Sequence, residues 1–402
     1  GRRGEGPFGM KPRHTPVAGR RVTVMGLGLF GGGSGAARWA LSEGADVTVT
    51  DQRGEDILAD SVATLREDPA ADRMRFVLGR HEEQDFLHAD VVIVNPAVPP
   101  DAHWLQVARD AGAKITTATA LLLERLHARV VAITGTHGKS STAHFTRDLL
   151  AAALPPTARI VLGGNIGGSL LDEVDALGAD DVVVLELSSY QIEHLAALGC
   201  ARCVDVVAIT NVGVDHLERH GTIAAYRAAK LAIIDLLRET GTAILPVGDI
   251  AREGTTRLGR SCLTHGPEGD VRMDMGGHVR TNARTPTPTT LGDARHLRIP
   301  GAFQRANLTV ALAAAHSLGA DPARLPAAIS GLRGLPHQME SLGSFELTPG
   351  GGAVEVFDNG VSTTPESTLA AIEAISNASA APHARILVAG GQAKRGVDDL
   401  SL

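Results

Sequence analysis

Along this chain, short apolar runs bounded by Gly or Pro alternate with longer stretches in which apolar positions recur every three or four residues. The first pattern reads as buried strands, the second as helices packed on them. A strand starts at Arg21 and runs into Gly26-Leu-Gly28-Leu-Phe-Gly31, and a helix follows through Ala36 to Ser42. A second strand covers 46–50 and ends at Asp51, and a third covers 89–94. The prolines of Asn95-Pro-Ala-Val-Pro-Pro100 stop that third strand. A helix over 104–111 and a short strand over 113–117 follow. The apolar run 130–134 then breaks into Gly135-Thr-His-Gly-Lys-Ser-Ser141, with a helix expected over 142–154. Further strands are expected at 160–162, 182–187 and 204–209. Residues 266–295, around Thr285-Pro-Thr-Pro-Thr-Thr, read as a loop-rich excursion with hairpins, and two more strands are expected at 353–357 and 385–388. Strands alternating with helices predict an α/β fold with a mostly parallel sheet.

At 402 residues the chain exceeds one ordinary core, so about two or three domains are expected. Hydrophobic residues make up 44% and charged residues 21%, the composition of a soluble globular protein rather than a disordered one. The net charge of −7 argues against nucleic acid as the main partner. Arg2, Arg3, Lys11, Arg13, Arg20 and Arg21 cluster among Gly and Pro, so 1–19 reads as a disordered leader without the apolar region of a signal peptide. No run approaches the roughly 18 apolar residues of a membrane span. Together with three cysteines, this predicts a cytoplasmic protein in a reducing compartment with no membrane partner. Cys200-Ala-Arg-Cys203 has zinc-ligand or redox spacing, but a zinc site needs four ligands and only Cys262 remains. The pair reads as small residues at the start of a buried strand.

Two glycine turns carry the candidate chemistry. In Gly135–Ser141 the glycines let backbone N–H groups converge on a triphosphate, Lys139 offsets its outer charge, and the Ser140 hydroxyl is a Mg²⁺ ligand. The spacing departs from the common Gly-x-x-x-x-Gly-Lys form, because Ile133 stands where the first glycine belongs. The first turn, Gly26 to Gly31, is a Gly-x-Gly-x-x-Gly with Asp51 placed 20 residues beyond it, the offset at which an acid holds a ribose hydroxyl. NAD, FAD and nucleotide sugars all fit that pattern. Glu186 follows an apolar strand, and Asp215 and His216 follow another, at strand ends where open α/β sheets bind ligands. One carboxylate plus the Ser140 hydroxyl suits a Mg²⁺ shared with ATP.

Taken together, Gly135–Ser141, Gly164-Asn-Ile-Gly167, Glu186-Leu-Ser-Ser-Tyr-Gln191, Asn211-Val-Gly-Val-Asp-His216 and Tyr226-Arg-Ala-Ala-Lys230 resemble the Mur ligases of peptidoglycan synthesis, most closely those that join glutamate to UDP-N-acetylmuramoyl-L-alanine. The resemblance covers residues 20–402 and implies three domains. These are a Rossmann-like UDP-binding domain over 20–118, a central P-loop ATPase over 119–335 and an incomplete C-terminal Rossmann-like domain over 336–402. It implies a monomer that takes UDP-N-acetylmuramoyl-L-alanine, glutamate (the D enantiomer favoured) and ATP with Mg²⁺, and that forms an amide through an acyl phosphate. Leu29, Phe30, Asp51, Gln52, Arg53 and Asn95 would face the uridine diphosphate. Asn165, Gln191 and His216 would meet the sugar and peptide end. Gly135, Thr136, His137, Gly138, Lys139, Ser140 and Ser141 would hold the phosphates, with Asn307 near adenine and Asn359 near ribose. Ser140, Glu186, His216 and Lys230 would organise the metal, Lys230 as a carbamate formed with CO₂. Lys139, Glu186, His216 and Lys230 would thus be the catalytic set, while Thr363 and Lys394 would meet glutamate.

Several positions depart from the family pattern. His137 replaces an Asn, Phe303-Gln304 replaces His-Asn, Gln338 stands where an Arg is usual, and Asn359 and Val361 replace an acid and a Lys. The end at Leu402 reads as that of a fragment, expected to bind the UDP-sugar and ligate poorly. The alternatives are a nucleotide-binding relative without ligase activity, a Mur ligase for another amino acid, and an NAD-dependent oxidoreductase using the first glycine turn.

Overall fold

The computed structural model describes residues 15–29, 31–282, 288–346, 352–362, 365–378, 386–388 and 390. The expectations at Phe30, Thr363 and Lys394, and positions 1–14 of the leader, lie outside them. The chain divides into two compact units, one of 1–132, 158–207 and 229–241, the other of 133–157, 208–228 and 242–402.

In the first unit, β1 (Arg21–Met25), β2 (Asp46–Asp51), β3 (Met74–Leu78), β4 (Val91–Val94) and β5 (Lys114–Thr116) form a sheet of order β3-β2-β1-β4-β5. All four pairings are parallel, in keeping with β4 and, after the exposed Arg21, β1 being covered on both faces. Val22 pairs with Val47 on one side and Val91 on the other. The chain leaves β1 toward β2 on one side and returns to β4 on the other, which opens a crevice at the C-terminal ends of β1 and β4. Helix Gly32–Ser42 buries Ala36, Ala37, Trp39, Ala40 and Leu41. The Arg125 guanidinium lies over the Trp39 ring, 4.9 Å from its centroid, and pairs with Glu43 at 2.6 Å. The segment read as leader is built into the fold at its end: Thr15 and Val17 are buried, and Thr15 donates from N (3.0 Å) and Oγ1 (2.7 Å) to the Glu124 carboxylate. This corrects the expectation for 15–19, whose polar atoms have partners that composition does not reveal.

The remaining strands of the larger sheet are β6 (Arg129–Thr134), β7 (Ile160–Gly164), β8 (Val182–Glu186), β9 (Val204–Ile209), β10 (Leu237–Pro246), β11 (Leu263–His265), β12 (Val271–Met273), β13 (His278–Thr281) and β14 (Thr289–Asp293). Their order is β14-β13-β12-β11-β10-β9-β6-β8-β7. The pairs β7–β8, β10–β11 and β11–β12 are parallel; β12–β13 and β13–β14 are the hairpins expected within 266–295, and they extend the sheet. Helix Ala302–Ser317 is buried along most of its length and packs on helix Lys139–Ala153.

Beyond residue 336, β15 (Glu340–Glu346) pairs antiparallel with β16 (Ala353–Asp358), and helix Pro365–Ala378 sets Ala371 and Ala374 against Met339. The strand expected at 385–388 is not formed over the described residues Ile386, Leu387 and Val388, which are exposed. An apolar run becomes a strand only where a neighbour takes its N–H and C=O groups, and among the described residues no strand pairs with this one. No helix among the described residues is long and apolar enough to cross a membrane.

Candidate functional site

Helix Lys139–Ala153 begins three residues before its apolar periodicity does, directly after Gly138, its N-cap at φ 77°. Lys139, Ser140 and Ser141 therefore form the first turn, where backbone N–H groups and the positive end of the helix dipole favour an anion. The turn is held from below by the segment after β9. Thr210 Oγ1 (2.6 Å) and Asn211 Nδ2 (2.9 Å) donate to the His137 carbonyl, and His137 N donates to Asn211 Oδ1 at 3.0 Å. Thr136 N donates to the Asn211 carbonyl at 3.0 Å. Lys139 Nζ donates to the Thr136 carbonyl at 3.0 Å, which folds the ammonium back over the turn.

The Thr136 hydroxyl accepts from Gly213 N at 2.8 Å and shares a 3.1 Å hydrogen bond with the buried Tyr226 hydroxyl. The Tyr226 ring lies 6.3 Å from that of His216. His216 caps the short helix Leu217–His220 at φ 52°, with Nδ1 3.3 Å from Glu218 and Nε2 3.5 Å from Asp215. Gly138 abuts Asn307, whose Nδ2 donates to the buried Gln304 Oε1 at 3.2 Å. Ser141 Oγ donates to Gln338 Oε1 at 3.0 Å, and Asn359 Oδ1 accepts from Met339 N at 3.2 Å.

In the first unit, the Gly26–Gly31 turn opens at the C-terminal end of β1. Gly26, at φ 89°, could not carry a side chain, since its Cβ would fall 2.7 Å from Asn95 Cβ. Asn95 braces the turn, donating from Nδ2 to the Gly26 carbonyl at 3.2 Å and accepting Ala97 N at 3.0 Å. The Asp51 carboxylate accepts from Gly28 N (3.2 Å) and Arg53 N (2.9 Å), while Leu29, Gln52 and Arg53 are exposed around it. A small cavity of about 80 Å³ beside the turn is lined by residues that include Gly26, Asn95, Thr119 and Gln191.

Asn165 and Glu186 also meet in this unit. Asn165 N donates to the Glu186 carbonyl at 2.8 Å and Asn165 Nδ2 to Oε1 at 2.9 Å, holding a carboxylate that is almost fully buried. The Gln191 carboxamide closes a capping box with Ser188 and donates to Thr119 Oγ1 at 3.3 Å. Lys230 is 2% exposed, and lysines are rarely so buried. Asp51, Asn95, Asn165, Glu186, Gln191 and Lys230 thus belong to the first unit, and the phosphate turn, His216, Asn307 and Asn359 to the second. The hydroxyl of Ser140 and the carboxylate of Glu186 are hard oxygen donors of the kind Mg²⁺ takes.

The braces Thr210, Asn211 and Gln304 carry no assigned role in the sequence reading, although Asn211 opens one of the motifs that carried the resemblance. For Thr210 and Asn211 the local signal is weak because they act on His137, far away in the chain, whereas Gln304 acts on Asn307 within one helix. The buried His265 is one more: its Nε2–H donates at 2.8 Å to the carbonyl of Ile209, one residue before Thr210. Burial lowers its pKa, with the Ile209 carbonyl opposing. Burial pushes the thiols of Cys200 and Cys203 up to about 11 and about 12.

Comparison with known proteins adds the following. The model of the Mur ligase middle domain matches residues 133–315, and that of the MurD-like N-terminal domain matches 20–117. The chain is 31% identical to the UDP-N-acetylmuramoylalanine–D-glutamate ligase of Roseiflexus sp. strain RS-1, over 96% of this chain and 81% of that protein. It is 35% identical to the enzyme of the same name from Geobacter metallireducens, over 81% and 69%. Among solved structures, the murein peptide ligase of Psychrobacter arcticus superposes with a TM-score of 0.55 at 17% identity, over 90% of this chain and 76% of that one, a likeness of fold.

Proposed function

This chain belongs to the Mur ligase family, and on that premise we propose that it is an ATP-dependent ligase that adds D-glutamate to UDP-N-acetylmuramoyl-L-alanine through an acyl phosphate. The observation that carries the chemistry is the phosphate turn, held open by Thr210 and Asn211 at the start of helix Lys139–Ala153. A preorganised nest of N–H groups with a lysine beside it stabilises a transferring phosphoryl group without reorganising during the reaction.

The carboxylate of the alanyl group attacks the γ-phosphorus of ATP, and ADP leaves. The amine of glutamate then attacks the acyl carbonyl, phosphate leaves, and the amine gives up its proton as the amide forms. Both reactants of the first step are anions, so Lys139 and the helix N-terminus offset their repulsion. Ser140, Glu186, His216 and Lys230, the last as a carbamate, would hold Mg²⁺, which when bound neutralises phosphate charge. Asn165 keeps Glu186 oriented for that role. On the nucleotide-sugar side, Leu29, Phe30, Asp51, Gln52, Arg53 and Asn95 would face the uridine diphosphate, with Asp51 already pinned by two backbone donors. Asn165, Gln191 and His216 would meet the sugar and peptide, Asn307 and Asn359 the nucleoside of ATP, and Thr363 and Lys394 the glutamate. On this reading the chain divides into a UDP-binding part over 20–118, a central ATP-binding part over 119–335 and a glutamate-binding part over 336–402, with contacts shared between neighbouring parts, and the protein would act as a cytoplasmic monomer.

The test is phosphate release by the purified protein with ATP, Mg²⁺ and UDP-N-acetylmuramoyl-L-alanine, with D- or L-glutamate added and the product weighed by mass spectrometry. Release that depends on D-glutamate, with a product heavier by one glutamyl residue, is expected. Release that ignores glutamate, or a product carrying another amino acid, would overturn the assignment.

A further inference from the structure

Outside the two glycine turns, the open end of the β15–β16 hairpin gathers three side chains that ligate metals. Glu340, the first residue of β15, and Asp358, the last of β16, are register partners. Carboxylates directly opposite each other across an antiparallel pair repel, so this end of the hairpin favours a positive charge, either the His337 imidazolium paired with Asp358 or a bound ion in place of its proton. The residue that reaches it is His337: Nδ1 is 2.6 Å from Asp358 Oδ2, and its main-chain N–H donates to Glu340 Oε2 at 2.9 Å. Among the described residues, these are the group of His, Cys, Asp and Glu whose ligand atoms, one from each, all lie within 4.8 Å of one another. His337 is exposed and the carboxylates are half-buried, so an ion reaches them from solvent.

We infer that His337, Glu340 and Asp358 form a binding site for a divalent transition-metal ion such as zinc, distinct from any Mg²⁺ bound with ATP. One imidazole and two carboxylates match the mixed nitrogen and oxygen preference of Zn²⁺ or Co²⁺, whereas Mg²⁺ takes oxygens and keeps its waters. Ligands on a tetrahedral zinc, with bonds of about 2.0–2.1 Å, stand about 3.4 Å apart, a spacing within the spread of this cluster. Binding releases the Nδ1 proton to solvent, and Asp358 Oδ2 exchanges its hydrogen bond to the ring for a bond to the metal. A fourth position is left for water. Because Gln338, which accepts from Ser141, follows His337 directly, an ion here would fix the linker that reaches the first turn of the phosphate helix.

The probe is Co²⁺, titrated into the whole protein in excess Mg²⁺ and followed by its visible absorption. One equivalent with intensified bands, displaced by Zn²⁺, is expected for the unaltered protein and for His216→Ala. Those bands are lost in His337→Ala and Asp358→Asn. The second of these changes charge but not shape, and it decides the matter should the first misfold by circular dichroism. Bands that survive Asp358→Asn, or an unaltered protein that shows none, would overturn the assignment.

Discussion

The Cα of Gly138 packs against the carboxamide of Asn307 so closely that a methyl group on the glycine would stand 2.9 Å from Asn307 Cγ. The same glycine holds φ 77°, a conformation that costs an L-residue roughly 1–2 kcal/mol. Gly138→Ala is therefore expected to meet both penalties at the point where the turn must approach phosphate, and to lower ATP affinity by more than about tenfold, the equivalent of some 1.4 kcal/mol. Adding Asn307→Ala removes the clash but leaves the strain and also takes away the proposed contact with the nucleoside, so the double variant should recover at most part of the loss. Titration with a fluorescent ATP analogue separates the cases, and wild-type affinity in Gly138→Ala would refute the geometry.

Asn211 makes three hydrogen bonds to the phosphate turn, two from its side chain to His137 and one from its carbonyl to Thr136. Asn211→Ala removes the side-chain pair and leaves the His137 carbonyl to the Thr210 hydroxyl, at a cost of about 1–3 kcal/mol. The expected result is a weakened affinity for ATP with little change in affinity for the UDP-sugar, whose proposed contacts, His216 apart, belong to the other unit. Isothermal titration with each ligand checks this, and equal losses for both would show that Asn211 supports the fold rather than the turn.

The vicinal-looking pair Cys200 and Cys203 has redox spacing, yet burial holds both thiols far above neutral pH. The thiolate is the reactive and metal-binding form. Iodoacetamide at pH 8 is therefore expected to leave both unmodified in the native protein and to alkylate them in urea. Peptide mass mapping reads the outcome, and fast native labelling of either cysteine would show that the strand start is more open than its packing indicates.

What the chain reveals by itself is what is local in it. The Gly26–Gly31 turn, Asp51 at the end of β2 and the strand–turn–helix around Lys139 are legible because their spacing is fixed by backbone geometry over a few residues. β15 escapes notice because Glu340–Glu346 is a largely exposed, polar stretch with a glycine in its middle, and nothing in it announces β16 as partner. Ile386–Val388 misleads in the opposite direction, since three apolar residues promise burial that depends on a neighbour. The braces that shape the site, Asn211 to His137 and Asn307 beside Gly138, join positions 74 and 169 residues apart. No local pattern carries such pairs, and so the residues of the motifs are easier to name than the ones that hold them still.

His265 ties pH to stability beneath the same turn. Its imidazole is buried on β11 and donates from Nε2 to the Ile209 carbonyl, at the end of the strand that leads into Thr210 and Asn211. Burial lowers its pKa below the ordinary 6.5, the carbonyl only partly opposing. The unfolded chain therefore takes up a proton near pH 6.5 that the native protein still refuses. Where the unfolded state binds more protons, stability rises with pH. The contribution is complete above about pH 6.5 and is lost as pH falls from there toward the depressed native value, with a slope approaching about 1.4 kcal/mol per pH unit for one group. His81, also lowered by burial, adds a dependence of the same sign, so the measurement must be a difference. Urea unfolding of the protein and of His265→Gln between pH 5.5 and pH 8 supplies it, because glutamine can still donate to Ile209 but does not titrate. The variant's midpoint should fall less steeply with acid than the parent's, and parallel pH profiles would mean that His265 is protonated as readily in the folded protein as in the unfolded chain.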